Sequence, residues 1–571
     1  MKITKKLLYV TLALVLALSS ISSAFACTGL YVGSEVSANG STYMGRSEDM
    51  GDLYGKVFGV EPAKDWEEGA MYTDAYGFSM PYPSHTYAYT YVRDSVNYGE
   101  TVTTPEGVPS IAYAEIGQNE KGVSVTATVS TGNNAAAKAA DPLVPTGICE
   151  ISVTSILLGS AATAKEAVDL LADVIDTYGA GECNSLMISD SSETWYFEIV
   201  SGHQYAAIKM PADKVSAQPN IMLLGVIDVT DTENVVVSEN LVKLAEDNGF
   251  LVTDENGNIN VSKTYGGVSS VSSRYWQGVN YVNEELAASL TAEDVTLLFD
   301  SAKQLTTLDV LQWLAYRGEG SAMDSNANPS IGAIGNNRQT ECHVVEIRPN
   351  MPGQLATIQW QAMADAEFSI YIPYYTALIT EVHDGYDSEV IPSEGTATDS
   401  INYNFQLINN LCYNNRADYP NLITAVKEYF EEYQQSLIDQ QAQIDQLMLE
   451  IYAYDPDLAA QKATDLGKDL AGQVLEMSTS VLAEIQAYLA AGDASATLTL
   501  TAAANDVLPV YSFDNIGGTG LPAPEVDDTT DDENESLGSP NTGDAFQPLL
   551  LGMVALVSLG GVVFLTKKKH A

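Results

Sequence analysis

The chain has 571 residues, 46% of them hydrophobic and 9% aromatic, enough for one large domain with appendages or for two or three ordinary ones, with a sizeable core. Its 26 basic and 75 acidic residues give a formal net charge of -49. That excludes a nucleic-acid backbone as partner, which needs clustered Lys and Arg, and describes first of all an acidic solvated surface.

The chain starts with the three-part pattern of a secretory signal: Lys2, Lys5 and Lys6, an apolar run from Leu7 to about Leu18, then small residues ending at Ala26. Residues 1–26 are therefore expected to be removed by signal peptidase. Ala24-Phe25-Ala26 places the cut immediately before Cys27. A cysteine that begins a mature chain carries a nucleophilic thiol and a free α-amine on one residue, so nucleophile and general base are within reach of each other without a histidine. The amine's ordinary pKa of roughly 7.7–8.0 leaves a useful fraction neutral near pH 7. Cleavage one bond later would expose Thr28 for the same chemistry. The competing readings of Cys27 are a lipidated cysteine, which Phe25 fits poorly, and a structural one.

Thr28 to Val32 is apolar and β-prone, Asn39-Gly40 is a turn signal, and Ser41 to Gly45 resumes as a strand, so a hairpin is expected. If Asn39 and Gly40 are the central turn residues, Arg46 faces Gly33 and stands ~20 Å along the strand from Cys27. With a longer loop over Ser34 to Asn39, Cys27 faces Arg46. The second register is the expected one, and a guanidinium there would favour the thiolate.

Helical periodicity spans residues 163–178, SLMISD and TWYFEIV read as strands, and QYAAIK follows the turn at Ser201-Gly202. Val344–Ile347 and Leu355–Met363, joined by Asn350-Met351-Pro352-Gly353, suggest a second hairpin, and an α+β domain with mostly antiparallel sheets follows. Cys149, Cys183, Cys342 and Cys412 have no Cys-x-x-Cys or paired Cys/His spacing, so a zinc site is poorly supported; they could form two disulfides, but buried free thiols are the expectation for so large a chain. There is no Gly-x-Ser-x-Gly elbow and no His-Glu-x-x-His.

The residues Cys27-Thr28, Asn39-Gly40-Ser41-Thr42 and Gly45-Arg46-Ser47-Glu48-Asp49, followed in order by AEIGQNEKGVSV (114–125), TAKEAVDLLADVIDTYG (163–179), WYFEIVSGHQYAAIKMP (195–211), YIPYYTALITEVHDGY (371–386) and DSINYNFQLINNL (399–411), carry a family likeness. Over residues 27–415 the chain resembles the bacterial cysteine dipeptidases of the N-terminal nucleophile (Ntn) hydrolases, relatives of dipeptidase A and the secernins and, more remotely, of penicillin V acylases and bile salt hydrolases. The resemblance implies an αββα sandwich with Cys27 at the end of an inner strand, free dipeptides as substrates, a thioester intermediate and no metal or organic cofactor. It carries Arg46 and Asp49 into the catalytic cluster, Asp49 holding the α-amine or orienting Arg46. It also implies Asn184 as an oxyanion donor or substrate anchor and Arg338 as a late arginine. A second oxyanion Asn of the bile salt hydrolases has no counterpart; Thr126 and Thr128 stand in that region.

Beyond the resemblance, apolar residues from Leu422 to Ile451 recur at helical intervals and a second helix covers about 465–490, giving a helical extension over 416–492. Residues 493–521 read as a linker or short strand region, and 522–538 as an acidic spacer too charged to fold. Residues 539–571 resemble the sortase sorting signals of Gram-positive surface proteins. Ser539-Pro540-Asn541-Thr542-Gly543 precedes an uncharged run at 546–565, and Lys567-Lys568-Lys569 follows. That implies joining of Thr542 to cell wall peptidoglycan by sortase; a retained membrane anchor is the alternative. Either places the protein on the outside of a Gram-positive cell. Three functions are compatible with the whole: a surface dipeptidase, an acyl-amide hydrolase of penicillin V acylase or bile salt hydrolase type, and a non-catalytic surface binding protein.

Overall fold

Fourteen strands build two antiparallel sheets in the computed structural model, which describes residues 27–51, 53–95, 114–267, 270–390, 397–500 and 508–522. In chain order they are β1 (Thr28–Val32), β2 (Thr42–Asp49), β3 (Lys56–Glu61), β4 (Tyr89–Asp94), β5 (Ala114–Gln118), β6 (Ser124–Ser130) and β7 (Asn184–Ser189). The remainder are β8 (Thr194–Ile199), β9 (Tyr205–Lys209), β10 (Val215–Gln218), β11 (Val235–Val237), β12 (Gln339–Ile347), β13 (Thr357–Ala362) and β14 (Ile372–Tyr374). One sheet has the order β10-β1-β2-β12-β13-β14, the other β11-β9-β8-β7-β6-β5-β4-β3.

The sheets face each other, and contacts such as Thr126 Oγ1 to His343 Nε2 at 2.6 Å join β6 of one to β12 of the other. Helices cover both outer faces. On the eight-stranded sheet lie α1 (Glu150–Ser160), against β5 and β6, and α2 (Ala164–Tyr178), against β7 and β8. Alternation along the strands explains this layer: Val123, Val125 and Ala127 of the β6 segment, with Leu186 and Ile188 of β7, share one apolar cluster with Val168, Leu171 and Ile175 of α2. Thr163 caps α2 by accepting from the Glu166 N–H, and Gly179, at φ 77°, ends it. On the six-stranded sheet, α3 (Ser273–Val282) packs against β10 and α4 (Ile401–Asn415) against β12. The expected mixed α+β architecture with antiparallel sheets is what the chain adopts.

Both expected hairpins form, the first in a different register. Thr28 faces Ser47 and Gly29 faces Arg46, so Cys27 is not opposite Arg46. The connection is longer than the expected Ser34–Asn39 loop, running from Gly33 to Ser41: Asn39 Oδ1 accepts from the Ser41 N–H, and Gly40 at φ 77° turns the chain into β2. In the second hairpin Ile347 faces Thr357, with Asn350 at φ 62° in the connection.

The segment after residue 415 is a helical hairpin of α5 (Pro420–Tyr454) and α6 (Pro456–Ala491), each ~50 Å long at 1.5 Å per residue. Pro456 cannot continue α5, and the Asp455 side chain caps α6 by accepting from the N–H groups of Asp457 and Leu458. The hairpin is not a separate body: α6 packs against α4 and β14, and Leu437, Met448, Leu470 and Val474 belong to the same apolar core as Val344 and Ile358. The region expected as a linker or short strand, 493–521, packs in part onto the same body. No strand forms among its described residues 493–500 and 508–521; Leu500, Tyr511 and Phe513 are buried in that core, because residues 508–516 lie along the helices as a strap. Residues 1–26, the acidic spacer beyond residue 522 and the sorting segment with its apolar run at 546–565 lie outside the described residues. Among the described residues no helix is long and apolar enough to cross a membrane.

Candidate active site

Cys27 immediately precedes β1, at 1% exposure. Its Sγ is 3.3 Å from Arg46 Nη2. The contact survives the change of register because the observed pairing differs from the expected one by two residues. Side chains alternate with period two, so Cys27 and Arg46 stay on the same face as diagonal neighbours, and an arginine is long enough to close the gap. Gly29 lies between them, and a Cβ there would come within 2.7 Å of Gln218 Oε1.

Arg46 is held from the opposite sheet. Its Nη1 donates to the Ala127 carbonyl at 2.9 Å, and both Nη1 and Nη2 donate to Glu115 Oε2 at 3.2 Å. Ala127 stands at a bulge in β6, where the pairing with β7 shifts between Ala127 and Val129. Glu150, at the start of α1, lies 3.9 Å from Arg46 Nη2, and Glu48 lies 4.0 Å away. Behind this pair, the Lys56 ammonium contacts Glu48, Asp94 and Glu115, the last at 3.1 Å. Three carboxylates converge there as they would around a metal ion, and the cation among them is Lys56. Burial opposes the Lys56 charge, yet Asp94, Glu115 and Glu48 together hold its pKa well above the usual lysine value.

This setting reverses the expected effect on the nucleophile. Burial pushes the Cys27 thiol up to about 12; Arg46 pulls it down, but Glu48, Glu150 and Asp49 add to the rise. The thiol is therefore held in its protonated form near neutral pH. In the continuous chain Ala26 precedes Cys27, so the Cys27 nitrogen is a peptide nitrogen.

Asp49 occupies the other face of β2. Its carboxylate accepts from Asn336 Nδ2 at 2.7 Å and Ser47 Oγ at 3.2 Å, so the residue that orients Arg46 is Glu115 and not Asp49. Burial raises Asp49 to about 6 against the opposing pull of Arg274, Asn336, Ser47 and Arg338. Arg338 donates to the carbonyls of Asp49 and Met50 at 3.4 and 3.5 Å, one strand end away from the thiol. Asn184 starts β7 opposite Ser130; it is 2% exposed and its Oδ1 has no hydrogen-bond partner. Thr126 is committed to His343.

Two residues in contact with Cys27 or Arg46 escaped the sequence reading. Arg274, at the start of α3, contacts the Cys27 carbonyl with Nη1, donates to Thr28 Oγ1 at 2.9 Å and reaches Asn220 Oδ1 at 2.8 Å with Nη2. Asn220 in turn donates to the Ser130 carbonyl at 3.1 Å, tying β1 to the end of β6. The second is Glu115, whose only sequence signal is a lone carboxylate in an otherwise uncharged strand, AEIGQ.

The model of Peptidase family C69 matches residues 26–432. A probable dipeptidase B of Streptococcus pyogenes serotype M1 is 32% identical over 406 residues, 68% of this chain and 79% of the relative. A probable dipeptidase of Latilactobacillus sakei is 29% identical over 62% of this chain and 74% of its own length, and one of Salmonella dublin 29% identical over 64% and 84%. A buried cysteine beside an arginine at the end of an inner strand, within a matched region that covers most of the chain, makes this protein a cysteine-type peptidase hydrolase that belongs to Peptidase family C69.

Proposed function

We propose that the protein is a cell-surface cysteine dipeptidase whose nucleophile is the thiol of Cys27, with the α-amine freed by signal removal as its base. The observation that carries the reading is the Cys27 Sγ to Arg46 Nη2 contact of 3.3 Å at the residue where the cleavage pattern ends. The relatives' description as dipeptidases supplies the substrate class. Because burial and carboxylates keep the thiol protonated, the amine takes the Sγ proton as sulfur attacks the peptide carbonyl. Arg46 steadies the sulfur while charge builds on it. Backbone N–H groups stabilise the oxyanion, a few kcal/mol per donor by ordinary values (~3 kcal/mol). Collapse of the tetrahedral adduct passes the proton from the ammonium to the leaving amine and leaves a thioester. Water, deprotonated by the same amine, then releases the acyl residue and restores the thiol.

The location belongs to the same proposal: export by the 1–26 signal, and attachment outside the cell through Thr542 or the apolar run at 546–565. The test is the mature N-terminus by mass spectrometry combined with turnover of a dipeptide panel and of glycine-conjugated acyl amides. A chain starting at Cys27 that cleaves dipeptides is the expected result. Fully active material starting at Phe25 or upstream overturns the mechanism, a diacylglyceryl mass on Cys27 selects the lipoprotein reading, and preference for conjugated amides overturns the substrate class.

A further inference from the structure

His343 is a fully buried titratable group that the proposed mechanism leaves idle, and it stands on β12 directly opposite Arg46 of β2. Its Nδ1 meets both oxygens of Glu341, at 3.0 and 3.2 Å, and its Nε2 meets Thr126 Oγ1 of the facing sheet at 2.6 Å. Glu341 also accepts from Gln361 Nε2 at 3.1 Å. Burial works against the Glu341 charge, yet His343, Arg46 and Gln361 together hold its pKa below the usual carboxylate value. An ionised carboxylate only accepts, so the His343 Nδ1 carries a proton and the ring is held in one orientation. Glu341, His343, Thr126 and Gln361 are all closed from solvent, so no substrate touches them. Whatever they do for the reaction, they do through a neighbour.

That neighbour is Ala127. Pairing of β6 with β5 runs from Ser124 to Thr126, and its pairing with β7 shifts between Ala127 and Val129. Ala127 thus stands where the ladders on both sides are interrupted, and its carbonyl accepts from Arg46 Nη1 at 2.9 Å. Arg46 Nε has no hydrogen-bond partner among the described residues, so the guanidinium is aimed by what its Nη groups touch: Ala127, Glu115 and the Cys27 sulfur. A carbonyl at a bulge points well only if the bulge is held, and the residue just before it, Thr126, is pinned to the facing sheet by His343. We propose that Glu341, His343 and Thr126 are positioning residues, whose chain of hydrogen bonds fixes the bulge of β6 so that the Ala127 carbonyl holds Arg46 Nη1 and leaves Nη2 turned to the Cys27 sulfur. The inference rests on the Cys27 mechanism proposed above and adds to it three residues that never meet the substrate.

The test uses the processed full chain and one dipeptide. Thr126→Val keeps the shape of the side chain and removes the hydroxyl. It should lower kcat about tenfold, the scale of a small misplacement at the reacting centre, and leave KM within about threefold. Thr126→Ser, which restores the hydroxyl, should stay within about threefold of wild type in kcat. Because the effect passes through Arg46, Thr126→Val combined with Arg46→Lys should be within about twofold of Arg46→Lys alone. An unchanged kcat in Thr126→Val, a Thr126→Ser as impaired as Thr126→Val, or full multiplication of the two losses in the double variant overturns the positioning role and leaves the nucleophile assignment standing. A Thr126→Val chain that does not fold overturns it as well, since the bond to His343 would then serve the fold and not the reaction. A processed wild type that turns over no dipeptide overturns the dipeptidase reading, and the positioning role with it.

Discussion

The two faces of β2 do opposite jobs with residues that alternate along a single strand. Arg46 and Glu48 project between the sheets into a crowded set of buried charges with Glu115 and Lys56. Ser47 and Asp49 project the other way, toward Asn336 and an open arginine-lined cavity. The inner face fixes the Arg46 guanidinium beside Cys27, because a buried charge pair has little freedom once its partners are in place. Alternation along one strand thus separates the Cys27–Arg46 contact from the wall of the cavity.

Substitutions on the two sides should therefore fail in different ways. The largest effect belongs to the nucleophile: Cys27→Ala should lower dipeptide turnover by more than about 10³-fold with an unchanged unfolding curve, as expected when a covalent step is lost. Retained turnover would end the proposed mechanism. Next is the inner face. Lys56→Met leaves Glu48, Asp94 and Glu115 buried against one another and should cost about 3–5 kcal/mol in urea unfolding, a loss that shrinks as acid neutralises the carboxylates. An equal loss at pH 5 and pH 8 would contradict the charge argument.

Asp49 tests the outer face through pH. Its carboxyl, raised to about 6, is ionised only above that value, so kcat/KM should fall as pH drops through about 6. Asp49→Asn should remove this acid limb and cost about tenfold at pH 7.5. The smallest effect concerns stability. Glu48 is pushed up to about 8 by burial and then by Glu115, against Lys56 and Arg46. A carboxyl whose folded pKa exceeds its unfolded one gains a proton on folding. Its contribution is complete below about pH 4.3 and disappears as pH rises through 8. The Tm should therefore fall between pH 6 and 9, and Glu48→Gln should flatten that fall by one group's share.

Local pattern made much of the fold legible. Helix α2, with its Thr163 cap and Gly179 stop, and the strands around Leu186 and Phe197 lie where periodicity and turn residues place them. So does the start of the terminal helical hairpin, which Pro420 opens. The first hairpin shows the limit. Turn residues mark where the chain reverses but tolerate several loop lengths, so the pairing came out two positions from the expected one while the facing of every side chain was kept. The strap shows another: a Thr/Ala-rich stretch and the few apolar residues after it have no period of their own, and Tyr511 and Phe513 become core only because two long helices offer a groove.

The site was legible where its residues are close in the chain and hidden where they are not. Cys27 and Arg46 share one hairpin, so strand geometry alone could relate them. Arg274 reaches Cys27 across 247 positions, and Glu115 reaches Arg46 across 69. No spacing rule links such residues, since only the packing of α3 on β10 and the facing of two sheets bring them together. Electrostatics was the other blind spot. The proximity of an arginine suggested an acidic thiol, whereas the desolvation that decides the matter depends on how completely both sheets close over Cys27.

The strap also has a mechanical consequence. Residues 509–516 are moored to the long helices by Gln440 at Pro509 and Tyr511, by Gln473 at Val510 and by Lys462 at Ile516. A pull applied from beyond Leu521 would load this row of moorings before it reached either sheet. Tension at that end would peel away a short ribbon while the nucleophile's strand, at the opposite terminus of the body, kept its shape.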